Sequence, residues 1–306
     1  SSVTMALYNG AERVKTVELS DENGILAYSS FCVVPDYSKR TAAESPFAVD
    51  HASCWLVPAE KRPEYAKAIR LAGVNWARER FSWESTCPEP GVWNYGNQLG
   101  VVDILDREGV NVIDVYHSSP KWTHPVGNRQ LPEDLFTTYE FNKKLAEDSP
   151  SVDVWEIWNE EDVTILYLRE TAEQYAAHFK AAAIAMAETE NNPYVVFGGF
   201  SQNSQQTEFI DLVFQNGIMD YTNIYNYHCH NNINDKRVNE TIDMHENATK
   251  NQIASDRAYD SEGKPVWVTE AGGKMLLASV NEPTSERLQK GQARYVVASN
   301  VQSVAW

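Results

Sequence analysis

Apolar positions along the chain follow two rhythms. From residue 3 to 34 they alternate in short runs, Val3 to Leu7 and Val14 to Leu19, before a polar turn at Asp21-Glu22-Asn23-Gly24 and a further run from Ile25 to Val34. Alternation of period two around an Asp/Asn/Gly turn predicts a β-hairpin. The segment is too short to build its own core, so residues 1–45 read as part of a β-sandwich or of a sheet docked on the rest of the chain, with Pro35 to Ser45 as linker. From Pro46 onward the pattern changes to apolar strands alternating with helical periods. Strands are expected at Phe47–Asp50, Val74–Arg78, Val110–Tyr116, Val152–Trp158, Tyr194–Gly198, Ile224–His228 and Val266–Thr269. Helices are expected at Pro63–Ala72, Leu99–Glu108, Pro132–Glu147, Thr171–Glu188, Glu208–Gln215, in the 240s and 250s, and at Ser285–Ser303. This order predicts an α/β fold of parallel strands, a (β/α)8 barrel over residues 46–306. Only seven strand–helix units can be counted. An eighth strand is therefore expected from a further polypeptide segment, because a barrel closes only when all of its strands have paired.

Two of these strands end in the same way. VDVWEIWNEED, residues 152–162, runs apolar and then stops in Asn159, Glu160, Glu161 and Asp162, which read as a solvated strand end. KPVWVTEAGG, residues 264–273, stops in Glu270 and two glycines. In a β/α barrel the C-terminal ends of the strands share one rim, where the chemistry is placed. Two carboxylates on one rim, from different strands, are what cleavage of a glycosidic bond requires. Glu156, two residues along the same face from Trp158 and four from Glu160, points inward and needs a cationic partner, an arginine.

These stretches resemble glycoside hydrolase clan A, the retaining β/α-barrel enzymes, with family 39 and family 5 as the nearest comparisons. Trp-Asn-Glu closing the fourth strand is similar to the acid/base motif, and Thr-Glu-Ala-Gly closing the seventh to the nucleophile motif. The resemblance implies that Glu160 is the acid/base and Glu270 the nucleophile. It implies that Asn159 meets the sugar 2-hydroxyl and that Arg78, within GVNWARERFSW, keeps the nucleophile ionised. Pro120-Lys121-Trp122 and the sixth-strand end, Tyr227-His228-Cys229-His230, match in part, so His117, Trp122, His228 and His230 join the substrate-binding set. Two departures stand out. Arg80 falls where relatives often have an acidic residue, and His230 replaces a tyrosine. The implied function is retaining hydrolysis of an oligo- or polysaccharide. Its alternatives are an exo-acting glycosidase such as a β-xylosidase or arabinosidase, or a carbohydrate-binding barrel without catalysis.

Composition narrows the field. A formal net charge of −17 over 306 residues repels nucleic-acid phosphates, so nucleic acid is not an expected partner. The apolar runs are too short for membrane insertion. Cys32, Cys54, Cys87 and Cys229 lack the spacing of a zinc site and read as free thiols. His228 and His230 alternate as metal ligands can, but no third ligand stands out, so neither a metal nor a cofactor is expected. Nine tryptophans and fifteen tyrosines suit both core packing and sugar stacking. A secreted or periplasmic location is favoured over a cytoplasmic one.

Overall fold

The structure is a computed structural model that describes residues 14–21, 23–32, 44–126, 128–163, 168–201, 207–233, 238–275 and 286–305. The N-terminal hairpin forms as its pattern predicts. Strand β1 (Val14–Asp21) pairs antiparallel with β2 (Gly24–Cys32), with Asp21 opposite Gly24. At the turn the Asn23 N–H donates to Asp21 Oδ1 (2.7 Å), and Gly24 takes a φ of 129° that a side chain would resist. The expected run Val3 to Leu7 lies outside the described residues.

The remaining strands run parallel in two arcs. Strands β3 (Ala48–Asp50), β4 (Trp76–Ser82), β5 (Asn111–His117), β6 (Val154–Ile157) and β7 (Tyr194–Phe197) pair in chain order. Strands β8 (Phe200–Ser201), β9 (Tyr225–Ile233) and β10 (Val266–Met275) form the second arc. Because Gly198-Gly199 separates β7 from β8, one stretch of chain pairs with β6 on one side and β9 on the other. It joins the arcs, so the ring has seven strand positions among the described residues.

Helices fill the intervals: α1 (Ser53–Leu56), α2 (Arg62–Leu71), α3 (Trp83–Thr86), α4 (Gly96–Arg107), α5 (Leu135–Asp148), α6 (Ala172–Ala187), α7 (Thr207–Gln215), α8 (Val238–Tyr259) and α9 (Glu286–Ala305). Helix α6 shows why. Thr171 and Gln174 form a reciprocal capping box at its start, and alanines favour helix along its length. Its inner face buries Tyr175, Phe179 and Met186 against the strands. Trp93 stacks on Phe141 at 5.4 Å, while Phe141 lies 3.9 Å from Trp83.

The ring has a seam. Among the described residues β3 pairs with β4 alone and β10 with β9 alone. Between β3, β10 and the helices α8 and α9 lies a cavity of about 720 Å³, lined by Phe47, Val49, Trp267, Tyr295 and Val304 among others. No helix among the described residues is long and apolar enough to cross a membrane.

Candidate active site

The site begins on β4. Alternation points Arg78 and Arg80 to one face while Ala77 and Phe81 pack on the other. Arg78 is buried and grips Glu156 with two parallel bonds, Nε to Oε2 at 2.7 Å and Nη2 to Oε1 at 2.8 Å. This is the cationic partner that inward-facing Glu156 requires, in the two-pronged geometry that suits a guanidinium. The same guanidinium reaches Glu270 Oε1 at 2.5 Å and Asn159 Oδ1 at 2.9 Å. Burial alone would raise the Glu156 carboxyl. The Arg78 charge and bonds, with His228, more than offset this and hold it down to about 2.

Strand β6 ends at Ile157, one residue earlier than the apolar pattern predicts. Trp158 (φ 76°) and Glu160 (φ 46°) both adopt the left-handed region, sparsely populated for such side chains. The chain therefore folds back at Asn159. Glu160 is left at the mouth, hydrogen-bonded to His228 Nδ1 at 3.0 Å. Glu161 and Asp162 are carried inward instead. The expectation that they are solvated loop charges is wrong, because both are fully buried. Asp162 accepts the Ser201 N–H at 2.9 Å. Burial, and the neighbouring Asp162, push the Glu161 carboxyl well above its ordinary value.

On the second arc a β-bulge between Val268 and Glu270 sets the register, so that Glu270 lies opposite His228 and Gly272 opposite His230. Bulges re-aim a side chain in this way. Buried Thr269, the residue at the bulge, donates to Asn226 Oδ1 at 2.7 Å. Glu270 then meets four cationic or imidazole groups. Besides Arg78, Arg80 Nη2 lies 2.7 Å from Oε1, His230 Nε2 lies 3.0 Å from Oε2, and His228 Nδ1 lies 3.9 Å from Oε2. Burial works against the ionised form, but His230, Arg78, His228 and Arg80 together hold the carboxyl well below the usual carboxylate range.

His228 is buried, with Nε2 3.5 Å from Glu156 and Nδ1 against Glu160. Burial alone would lower its pKa, and the two carboxylates raise it instead. Its ring lies against Gly199, where an added Cβ would stand 2.2 Å from Cδ2. Tyr227 faces away and bonds Thr249 on α8. Arg80, a departure in the sequence, has a clear place here. It forms two bonds to Asp50 at the end of β3, 2.7 and 2.9 Å, as well as its bond to Glu270.

Seven of the eight expected site residues thus share one rim. Arg78, Asn159, Glu160, His228, His230 and Glu270 are linked by the bonds above. His117 stands close by, where burial and the charges of Arg80 and Arg78 bring its pKa down to about 4. Trp122, on the loop after β5, is exposed, with its indole N–H donating to Cys87 O at 2.8 Å. Three contributors escaped the sequence reading. Asp50 and Arg80 need the register of β3 against β4 to be seen as a pair. Trp55, exposed and edge-on to His117 at 5.9 Å, needs the fold of the β3–α2 connection. Cys54, Cys87 and Cys229 are free thiols, as expected, and the Cys32 side chain lies outside the described set. Glu160, His228, His230 and Glu270 each turn one potential metal ligand toward the others.

No family model matches the sequence, and no curated protein matches it. Solved structures do resemble the fold. A family 39 glycoside hydrolase from the gut symbiont Bacteroides cellulosilyticus WH2 is 18% identical with a TM-score of 0.68, covering 95% of this chain and 61% of its own. A GH5_18 structure from Bifidobacterium longum subsp. longum ATCC 55813 is 16% identical with a TM-score of 0.62, over 84% of this chain and 66% of its own. A GH39 β-xylosidase from Caulobacter crescentus is 14% identical with a TM-score of 0.56, over 84% and 58%. The chain spans about three-fifths of the length of the first and third of these. At these identities the likeness establishes the fold, a (β/α)8-type barrel of which seven strand positions are present among the described residues.

Proposed function

We propose that the protein is a retaining glycoside hydrolase acting on a β-linked or equivalently configured oligo- or polysaccharide. The observation that carries this reading is the pair of carboxyl groups, Glu160 and Glu270, whose oxygens come within 4.8 Å of each other from opposite arcs of the ring. Retaining enzymes hold their carboxyl groups about 5–5.5 Å apart, whereas inverting ones leave about 6.5–9.5 Å for a water. The environments divide the roles. Glu270, held ionised by Arg78 and Arg80, is the nucleophile. Glu160, at the mouth with one imidazole contact, is the acid/base.

In the first step a Glu270 oxygen attacks the anomeric carbon. The glycosidic C–O bond breaks, and the leaving oxygen takes the Glu160 proton. In the second step Glu160 takes a proton from water. The water oxygen displaces Glu270 from the same carbon, restoring the configuration. Asn159 Oδ1 is occupied by Arg78, so its NH₂ is the end that donates to the sugar 2-hydroxyl. His228 positions Glu160, and His117, Trp55 and Trp122 contribute to the sugar-binding rim. A non-catalytic carbohydrate-binding barrel would have no use for two clamped, opposed carboxylates. Residues 46–306 form the catalytic unit and residues 1–45 belong to an accessory β unit. We place an eighth strand, supplied by a further polypeptide segment, in the seam between β3 and β10, supported by the cavity there.

The test is a polysaccharide and oligosaccharide panel with the product anomer followed by NMR. Initial release of the anomer matching the substrate supports the proposal. Release of the opposite anomer, or no hydrolysis across the panel, would rule it out.

A further inference from the structure

Two imidazoles and two carboxylates that meet at the rim each present a ligand atom, all within 4.8 Å of one another. We propose that Glu160, His228, His230 and Glu270 form a Zn²⁺ site, and that the bound ion takes both carboxylates out of the reaction and so switches the enzyme off. Binding stands on the geometry; the inhibition rests on the function proposed above.

Two imidazole nitrogens and two carboxylate oxygens form a complete tetrahedral donor set for Zn²⁺. With bonds of about 2.0–2.2 Å, such a tetrahedron spaces its donors roughly 3.3 Å apart. Here His228 Nδ1 and Glu160 Oε1 are 3.0 Å apart, His230 Nε2 and Glu270 Oε2 are 3.0 Å apart, and His228 Nδ1 and Glu270 Oε2 are 3.9 Å apart. The widest separation therefore closes by no more than ~1.5 Å. His230, its side chain 45% exposed, has open space beside it for its share of that adjustment.

The surroundings are those of a ligand set already oriented. The second nitrogen of His228 faces Glu156 at 3.5 Å, and Arg78 in turn fixes Glu156. A carboxylate behind a metal-binding histidine sets the ring orientation and increases ligand basicity. Arg78 and Arg80 both engage Oε1 of Glu270, which leaves Oε2 on the side of the imidazoles. Four carboxylates, Asp50, Glu156, Glu160 and Glu270, surround two guanidiniums, and a dication compensates the excess. Imidazole donors favour Zn²⁺ over Mg²⁺ or Ca²⁺, which prefer more numerous oxygen ligands. A tyrosine at position 230 would remove one of the two nitrogens, so the His230 departure is what completes the set.

The experiment is equilibrium dialysis of the full chain, stripped with EDTA, against ZnSO₄ with metal analysis. The expected result is one zinc ion per chain, with affinity reduced at least about tenfold in His230→Phe and in Glu160→Gln. Far-UV circular dichroism checks that both variants are folded. Independently of any variant, Co²⁺ in place of zinc should give the intense visible bands of tetrahedral coordination without thiolate charge transfer. Wild-type zinc binding that is absent, or unchanged in both folded variants, would overturn the site, as would an octahedral Co²⁺ spectrum. If zinc binds as described but hydrolysis of a cleaved substrate is unaffected, the switch is overturned and the site stands. If no substrate is cleaved at all, the functional reading falls while the binding result is untouched.

Discussion

Glu160 and Glu270 reach the same space from strands held in opposite ways. Strand β6, which delivers Glu160, is buried at every position from Val154 to Ile157 and lies inside the five-stranded arc, paired on both sides with β5 and β7. Strand β10, which delivers Glu270, is half-buried at Val266, Trp267 and Val268 and borders the seam. Packing fixes the first strand, and its carboxylate makes a single imidazole contact. The second strand has weaker packing, and its carboxylate is fixed by charge through Arg78, Arg80 and His230. A barrel can thus place a carboxylate precisely from a loosely supported strand, provided that a well-packed neighbour supplies the clamp. Here that neighbour is β4, across the seam by way of β3.

This contrast can be tested in descending order of effect. On the proposed mechanism, Glu270→Ala should lower turnover on the order of 10⁴-fold or more, with partial rescue by azide, because the covalent step is lost while the site stays assembled. Full activity in that variant, measured on a substrate the wild type cleaves, would remove Glu270 from the mechanism. Arg78→Met should affect both sides at once. It releases Glu270 and leaves buried Glu156 without its partner, so urea denaturation should show a loss of about 3–5 kcal/mol in addition to lost activity.

Acid should act on the same clamp. The folded pKa values of Glu156 and Glu270 lie below their unfolded ones, so in the intervening range the unfolded chain binds more protons. This stability is fully present above about pH 4.5 and is lost as the pH falls through the folded values, which for Glu156 is about 2. Glu156 alone accounts for about 3 kcal/mol. Of this, roughly 2 kcal/mol should be lost between urea denaturations at pH 6 and pH 3, and a flat profile would mean that Arg78 and His228 do not hold Glu156 ionised. The smallest effect compares the two strands directly. Val154→Ala on β6 should cost roughly 2 kcal/mol, and Val266→Ala on β10 roughly half as much. Equal losses would mean that β10 is as tightly packed as β6.

Much of this was legible in the residues. The strand and helix alternation and the pairing of Glu156 with an arginine follow from hydrophobic period and the cost of unpaired buried charge. The two carboxylates follow from their place at strand ends, and Arg78 and Asn159 from the resemblance of their stretches to clan A. What stayed hidden depends on where the backbone leaves its regular path. The positive φ values at Trp158 and Glu160 turn Glu161 and Asp162 inward, and hydropathy assigns such charges to solvent. The bulge at Thr269 shifts the register by one residue, which no alternation reveals. Arg80 becomes interpretable only when Asp50 is seen beside it, a contact set by the pairing of β3 with β4.

Gly198 and Gly199 have a consequence for how this sequence can vary. Between β7 and β8 a Cβ on Gly198 would stand 2.4 Å from Glu161 Oε2 and 2.7 Å from the Trp158 carbonyl, and one on Gly199 would intrude on the His228 ring. Even the smallest replacement, alanine, must therefore displace either the bend that presents Glu160 or the imidazole that positions it. In a saturation library these two codons should tolerate almost nothing, although neither residue has a side chain to contribute to chemistry. Selection for activity would act there on the space a residue leaves empty, and drift through this part of sequence space would have to go around it.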